Sequence, residues 1–135
     1  MQAVMRRRFD EAAATFDGAA VLHAEARARL LERLALFKLA PERVLDVGAA
    51  TGAGSAALAA VYPQAQVVAI DASLPMLRRA AMNAPDAAVL AGDAHELPVE
   101  SHSVDLVFAN LLLPWVEPDR ALAEFARVLL SLIHI

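Results

Sequence analysis

Leu22, Ala26, Leu30, Leu34 and Phe37 recur at steps of three and four, with Arg27, Arg29, Glu32 and Arg33 between them. That spacing gives a helix one apolar face, and it predicts a helix over 19–39 with Asp17 as its N-cap and Pro41 as its stop. Residues 3–15 also read as a helix, joined to the second at Thr15-Phe16-Asp17-Gly18. Beyond Pro41 the spacing changes. Val44 to Val47, Gln66-Val67-Val68-Ala69-Ile70, Ala87 to Ala91 and Ser103 to Phe108 are short apolar or β-branched runs, the pattern of strands covered on both faces. Between them lie a helix over Ser55 to Tyr62, closed by Pro63, and one capped by Ser73 with Pro75 in its first turn. Leu111 to Trp115 and Pro118 to Leu130 follow as helical, the latter with Leu122, Phe125 and Leu129 inward.

The resulting order, α-α-β-α-β-α-β-β-α, predicts an α/β domain with a parallel sheet of about four strands behind two N-terminal helices. Three strands run into acids, Asp46, Asp71 and Asp93, and the fourth ends near Asn110. Parallel strands bring their carboxyl ends to one edge, so these polar groups are expected to converge there. The turn after the first strand carries Gly48, Gly52 and Gly54 and leads into a helix, the way open α/β folds build a nucleotide-sized pocket. It does not follow G-x-G-x-x-G, and Asp46 just before the first glycine would repel a pyrophosphate. A carboxylate at the lip of that turn suits a cationic ligand instead, such as the sulfonium and ammonium of S-adenosylmethionine. Asp71 stands 25 residues beyond Asp46, where an acid reaches the ribose hydroxyls of an adenosine. Phe16, at the break between the first two helices, reads either as a core aromatic or as a lid over that pocket.

Composition narrows the function by exclusion. A net charge of −4 and a pI near 5.5 argue against a nucleic-acid surface. The chain has no cysteine, hence no disulfide framework and no thiolate zinc site. His23, His95, His102 and His134 lack metal-ligand spacing and read as surface or loop residues, so no metal is expected. Val47 to Ile70 has no charge after Asp46, but its glycines, glutamines and Pro63 make it too weakly apolar and too broken to span a membrane. Arg6-Arg7-Arg8 followed by Phe9-Asp10-Glu11 is not the start of a signal peptide; the arginines fit a mitochondrial presequence, against which Asp10, Glu11 and Asp17 count, and a cytoplasmic protein is expected.

In their order and spacing, Leu45-Asp46-Val47-Gly48, Ala69-Ile70-Asp71-Ala72-Ser73 with Pro75-Met76-Leu77, Ala91-Gly92-Asp93 with Leu97-Pro98, and Ser103-Val104-Asp105-Leu106-Val107 with Asn110 resemble the class I S-adenosylmethionine-dependent methyltransferases. Arg8 to Asp17 and Asn110 to Trp115 further resemble the malonyl-acyl-carrier-protein O-methyltransferases of biotin synthesis, and are shared with methyltransferase-like proteins of mitochondrial complex I assembly. The resemblance implies a Rossmann-like doubly wound parallel sheet, incomplete here. It implies an N-terminal helical lid over 1–40 and a cofactor-binding half-domain over 41–129. It places Asp46, Gly48, Ala50 and Gly52 at the methionine part of S-adenosylmethionine, Asp71 and Ala72 at the ribose, and Asp93 and Ala94 at the adenine. Met76 and Leu74 would flank the adenine, Asn110 would floor the site and Phe16 would close over it. Asp105 would play a structural part. The implied partner is an acyl carrier protein bearing a malonyl group, with Arg6, Arg7 and Arg8 as its docking patch; no nucleic acid or membrane is implied. A malonyl carboxylate is ionised at neutral pH, so no catalytic base is assigned. The family's central glycine is Ala50 here, which adds a methyl group where the backbone approaches the ligand. Residues 130–135 depart from the family, and Leu130 to Ile135 can be back-translated as a sequencing adapter, so a truncated read of a longer gene is expected.

Overall fold

The structure, a computed structural model, describes residues 21–37, 39–109 and 116–130. The helix expected over 3–15, Phe16, Arg6 to Arg8, Asn110, the helix expected over 111–115 and the tail 131–135 lie outside the described residues. Within them the chain runs α1 (Val21–Ala35), β1 (Arg43–Val47), α2 (Ala53–Val61), β2 (Gln66–Asp71), α3 (Leu74–Asn83), β3 (Ala88–Ala91), β4 (Leu106–Phe108) and α4 (Pro118–Val128). The strands form one fully parallel sheet in the order β3-β2-β1-β4. The chain winds outward from β1 through β2 to β3 and then returns to the other side of β1. That reversal beside β1 is where open α/β sheets leave a crevice at the carboxyl ends of their strands.

Alternation along the strands splits the core into two layers. Leu45, Val47 and Ile70 point to one face, where Ala121, Phe125 and Val128 of α4 meet them together with Ala94, Leu97 and Val104. Val44, Val67, Leu106 and Phe108 point to the other, against Leu34 of α1 and Leu58 of α2. Asp46 is therefore on the α2 face, one residue out of step with Leu45 and Val47.

Three expectations need correction. The helix read over 19–39 stops at Ala35, before Pro41. Leu36 and Phe37 donate their N–H groups to Arg33 and Leu34, a tightened last turn that takes Phe37 off the stripe and leaves it 49% exposed. In α4 the inward residues are Ala121, Phe125 and Val128, while Leu122 is 51% exposed; Phe125 was expected inward and Leu122 was not expected out. The fourth strand is only Leu106–Phe108. Ser103 and Val104 donate their N–H groups to Val128 O at 2.8 and 3.0 Å, so the end of α4 takes the hydrogen bonds a longer β4 would have used. Asp105 is structural, as read: its Oδ2 accepts the N–H groups of Glu42 and Arg43 at 2.7 and 2.9 Å and fixes the start of β1.

Candidate functional site

The turn after β1 is wound through left-handed backbone. Gly48, Ala50 and Gly52 have φ of 72°, 51° and 89°. Glycine tolerates this at no steric cost, whereas Ala50 holds a conformation that a Cβ disfavours. The turn is pinned to the neighbouring strand: Gly48 N and Ala49 N donate to Ile70 O at 2.8 and 3.0 Å, and Ala50 N donates to Asp71 Oδ2 at 2.9 Å. Asp71 Oδ1 accepts Ser73 N at 2.9 Å. The acid at the end of β2 thus latches the glycine turn to the start of α3, with its carboxylate fixed at the sheet edge. Asn83 Nδ2 completes the frame by donating to Thr51 O at 2.7 Å.

Asp46 departs from the expectation of an acid at the open lip. It is 2% exposed, and Ser55 donates to it through both its hydroxyl, at 2.7 Å to Oδ2, and its backbone N–H. The N-cap of α2 is Gly52, which has no side chain to cap with, so Asp46 reaches across from β1 to serve the first turn of that helix. A Cβ on Gly54 would stand 3.0 Å from Asp46 Oδ2, so the glycine leaves room for the carboxylate. Burial raises the acid to about 6, reinforced by the charge of Asp71 and opposed by the Ser55 bonds and by Arg27 of α1. Asp46 is therefore mainly ionised at neutral pH, in a setting that resists its charge.

The third acid, Asp93, follows β3 and its side chain remains 47% exposed. Ala94 beside it is buried in the core, so its contribution to any ligand is through its backbone. Ala72 is exposed and Leu74 is 56% exposed at the start of α3, whereas Met76 is completely buried, because Met76, Leu77 and Ala80 form the inward face of that helix. Gly52 meets Ala80 so closely that a Cβ would lie 2.7 Å from its Cα. Its first duty is thus helix packing. Ser55, Thr51, Asn83 and His95 are polar supports that sequence reading missed. His95, expected as a surface or loop residue, lies in the loop after β3 but is only 7% exposed. No periodicity marks such residues, since their partners come from other elements.

The parallel sheet thus brings Asp46, Asp71 and Asp93 to one edge, and no Lys or Arg lies between Arg43 and Arg78. Asp46 is buried beneath the turn, so the acids that reach solvent at that edge are Asp71 and Asp93, a pair that suits a ligand with cationic and hydroxyl groups and does not suit a pyrophosphate. Among the described residues there is no group of three or more His, Cys, Asp or Glu that could hold a metal ion, and no helix is long and apolar enough to cross a membrane.

Residues 45–131 match the methyltransferase domain family. The chain belongs to it. The malonyl-[acyl-carrier protein] O-methyltransferase of Methylovorus sp. (strain MP688) is 43% identical over 138 residues, covering 95% of this chain and 47% of that protein. The chain spans about half the length of the curated relatives it matches. Among solved structures, a chain from the complex of the Haloferax volcanii Trm112 methyltransferase activator with a methyltransferase superposes with a TM-score of 0.76 at 26% identity, covering 90% of this chain and 55% of the other. The Haemonchus contortus phosphoethanolamine N-methyltransferase 2, solved with S-adenosylhomocysteine, superposes with a TM-score of 0.65 at 26% identity over 76% of this chain and 25% of its own. The fold is the class I methyltransferase fold that the motif resemblance implies.

Proposed function

We propose that this chain is the cofactor-binding part of an S-adenosylmethionine-dependent methyltransferase that methylates the free carboxylate of a malonyl group on acyl carrier protein, in the cytoplasm. The observation that carries this reading is the 43% identity to a malonyl-acyl-carrier-protein O-methyltransferase across 95% of the chain. Asp71 and Asp93 on one edge, above a turn stiffened by the buried Asp46, support it. When bound, S-adenosylmethionine supplies an electrophilic methyl group. The malonyl carboxylate is already ionised at neutral pH, so the chain needs no base and acts by holding, orienting and excluding water.

In this reading residues 41–129 form the cofactor-binding unit, with the helices before them as its lid. Gly48, Ala50 and Gly52 shape the turn for the methionine end, and Asp46 stiffens it from beneath through Ser55. Asp71, oriented by Ala50 N and Ser73 N, takes the ribose hydroxyls, with Ala72 beside it. Asp93 and the backbone of Ala94 take the adenine, Leu74 covers it and Met76 supports Leu74's helix from the core. Phe16 and Asn110 are assigned to the lid and floor by resemblance alone. Calorimetric titration of S-adenosylhomocysteine into the chain, with NAD as control, is expected to show binding of the former only. Transfer of a labelled methyl group to malonyl-acyl carrier protein by the full-length gene product is expected too; cofactor binding without transfer would overturn the substrate assignment and leave the cofactor site standing.

A further inference from the structure

His95 has no part in the function proposed above, yet its side chain is buried and both ring nitrogens are engaged. Nε2 accepts the backbone N–H of Glu117 at 2.8 Å. A ring nitrogen that accepts a hydrogen bond carries no proton, so the proton of the neutral ring sits on Nδ1. Nδ1 lies 2.9 Å from Asp93 Oδ1 and donates to it. The same oxygen accepts the backbone N–H of His95 at 2.8 Å. Two donors from one residue thus converge on one oxygen of a carboxylate that is otherwise half exposed at the sheet edge.

The far end of this relay is also telling. Glu117 is the N-cap residue of α4, and α4 is seated in the core by Ala121, Phe125 and Val128. The ring therefore braces Asp93, whose side chain is half exposed in the short loop after β3, against an element that cannot move without disturbing the core. A histidine kept only to fill the core would not need a half-exposed acid as its partner.

We propose that His95 is a positioning residue that aims the Asp93 carboxylate at the exocyclic amino group of the cofactor's adenine. This rests on the assignment of Asp93 to the adenine made above. With Oδ1 tethered by two donors, the orientation of Oδ2 is fixed, and a carboxylate oxygen held in place accepts from an amino group but opposes an oxo group in the same position.

The test compares S-adenosylhomocysteine with S-inosylhomocysteine, whose purine carries an oxo group in place of the amino group, by calorimetry on the 135-residue chain and two variants. In His95→Asn the side-chain amide keeps a donor near the Nδ1 position; in His95→Gln it keeps an acceptor toward Glu117 and puts no donor at Asp93. The wild type is expected to prefer the adenosyl ligand about tenfold or more, His95→Asn to keep that preference within about twofold, and His95→Gln to lose most of it. Independently of any variant's folding, nitrogen-15 shifts of the wild-type imidazole should report the Nδ1–H tautomer. The same preference in His95→Gln as in the wild type, or an Nε2–H tautomer, overturns the proposal while leaving the cofactor reading intact. A wild type that binds neither ligand overturns the cofactor reading, and the aim assigned to His95 falls with it.

Discussion

Asp46 and Ala50 show how single residues in the glycine turn carry opposing demands. Burial holds the Asp46 proton to about pH 6, against an ordinary value of 3.8, so the folded state binds that proton more tightly than the unfolded chain does. The stability this group contributes is complete below about pH 4 and is lost as pH rises to about 6. Asp46→Asn cannot ionise and still accepts from Ser55. It should match the wild type near pH 4 and exceed it near pH 7 by up to about 3 kcal/mol, as thermal unfolding across that range would show. Ala50 sits at φ 51° where glycine is unstrained. Ala50→Gly removes about 1 kcal/mol of strain and adds a similar entropy to the unfolded chain, so stability should change by about 0.5 kcal/mol or less. Losing a methyl group from the turn should raise affinity for S-adenosylhomocysteine several-fold in a calorimetric titration. Neither the burial of Asp46 nor its bond to Ser55 was legible beforehand. An acid at a strand end looks the same in sequence whether it faces solvent or the first turn of the next helix.

At the scale of elements, two contacts decide whether the frame around the site closes. Gly52 has a φ of 89° and lies against Ala80, where a Cβ would come within 2.7 Å of backbone. Gly52→Ala should therefore force α2 and α3 apart and cost about 2–4 kcal/mol, read as a lower denaturant midpoint. The second contact joins α4 to the segment that follows Asp93. Arg127 donates to Leu97 O at 3.0 Å, Val99 O at 2.9 Å and Ser101 Oγ at 3.1 Å, and its fork also binds Glu124, whose Oε1 accepts Leu97 N at 2.7 Å. The planar guanidinium makes these bonds at once and a lysine cannot. Both Arg127→Lys and Arg127→Met should lower the melting temperature, with lysine giving little rescue. Element types were readable from spacing, since each strand lies within two or three residues of its expected run and Ser73 caps α3 as expected. Phase within α4 was less so. Its inward stripe includes Ala121, and a small residue in an alanine-rich chain gives no sign of whether it is packed or bare.

Over the whole molecule, the parallel sheet brings acids far apart in sequence to one edge, Asp46 buried beneath it and Asp71 and Asp93 reaching solvent, and a ligand held by that edge should stabilise the fold as a unit. Saturating S-adenosylhomocysteine at about a hundred times its dissociation constant should raise the unfolding free energy by about 2.7 kcal/mol, while NAD leaves the transition in place; thermal unfolding with each ligand checks this. Strand and helix order, the parallel sheet and the set of acids near its strand ends were readable from the residues alone, because buried strands and amphipathic helices write their periodicity into neighbouring residues. The chain also held the family's motifs in order. What each acid touches came from the folding of the chain: Asp46 the first turn of α2, Asp71 the turn on one side and α3 on the other, and Asp93 a buried histidine braced on α4. Ser73 N and His95 N lie two residues from their acids, the local turn that an Asp side chain makes with its own backbone, whereas Ser55, Ala50 and, for His95, Glu117 lie 9, 21 and 22 residues from theirs. Hydrogen bonds between separate elements depend on distance and direction in space, and no local pattern of apolar and polar residues encodes them.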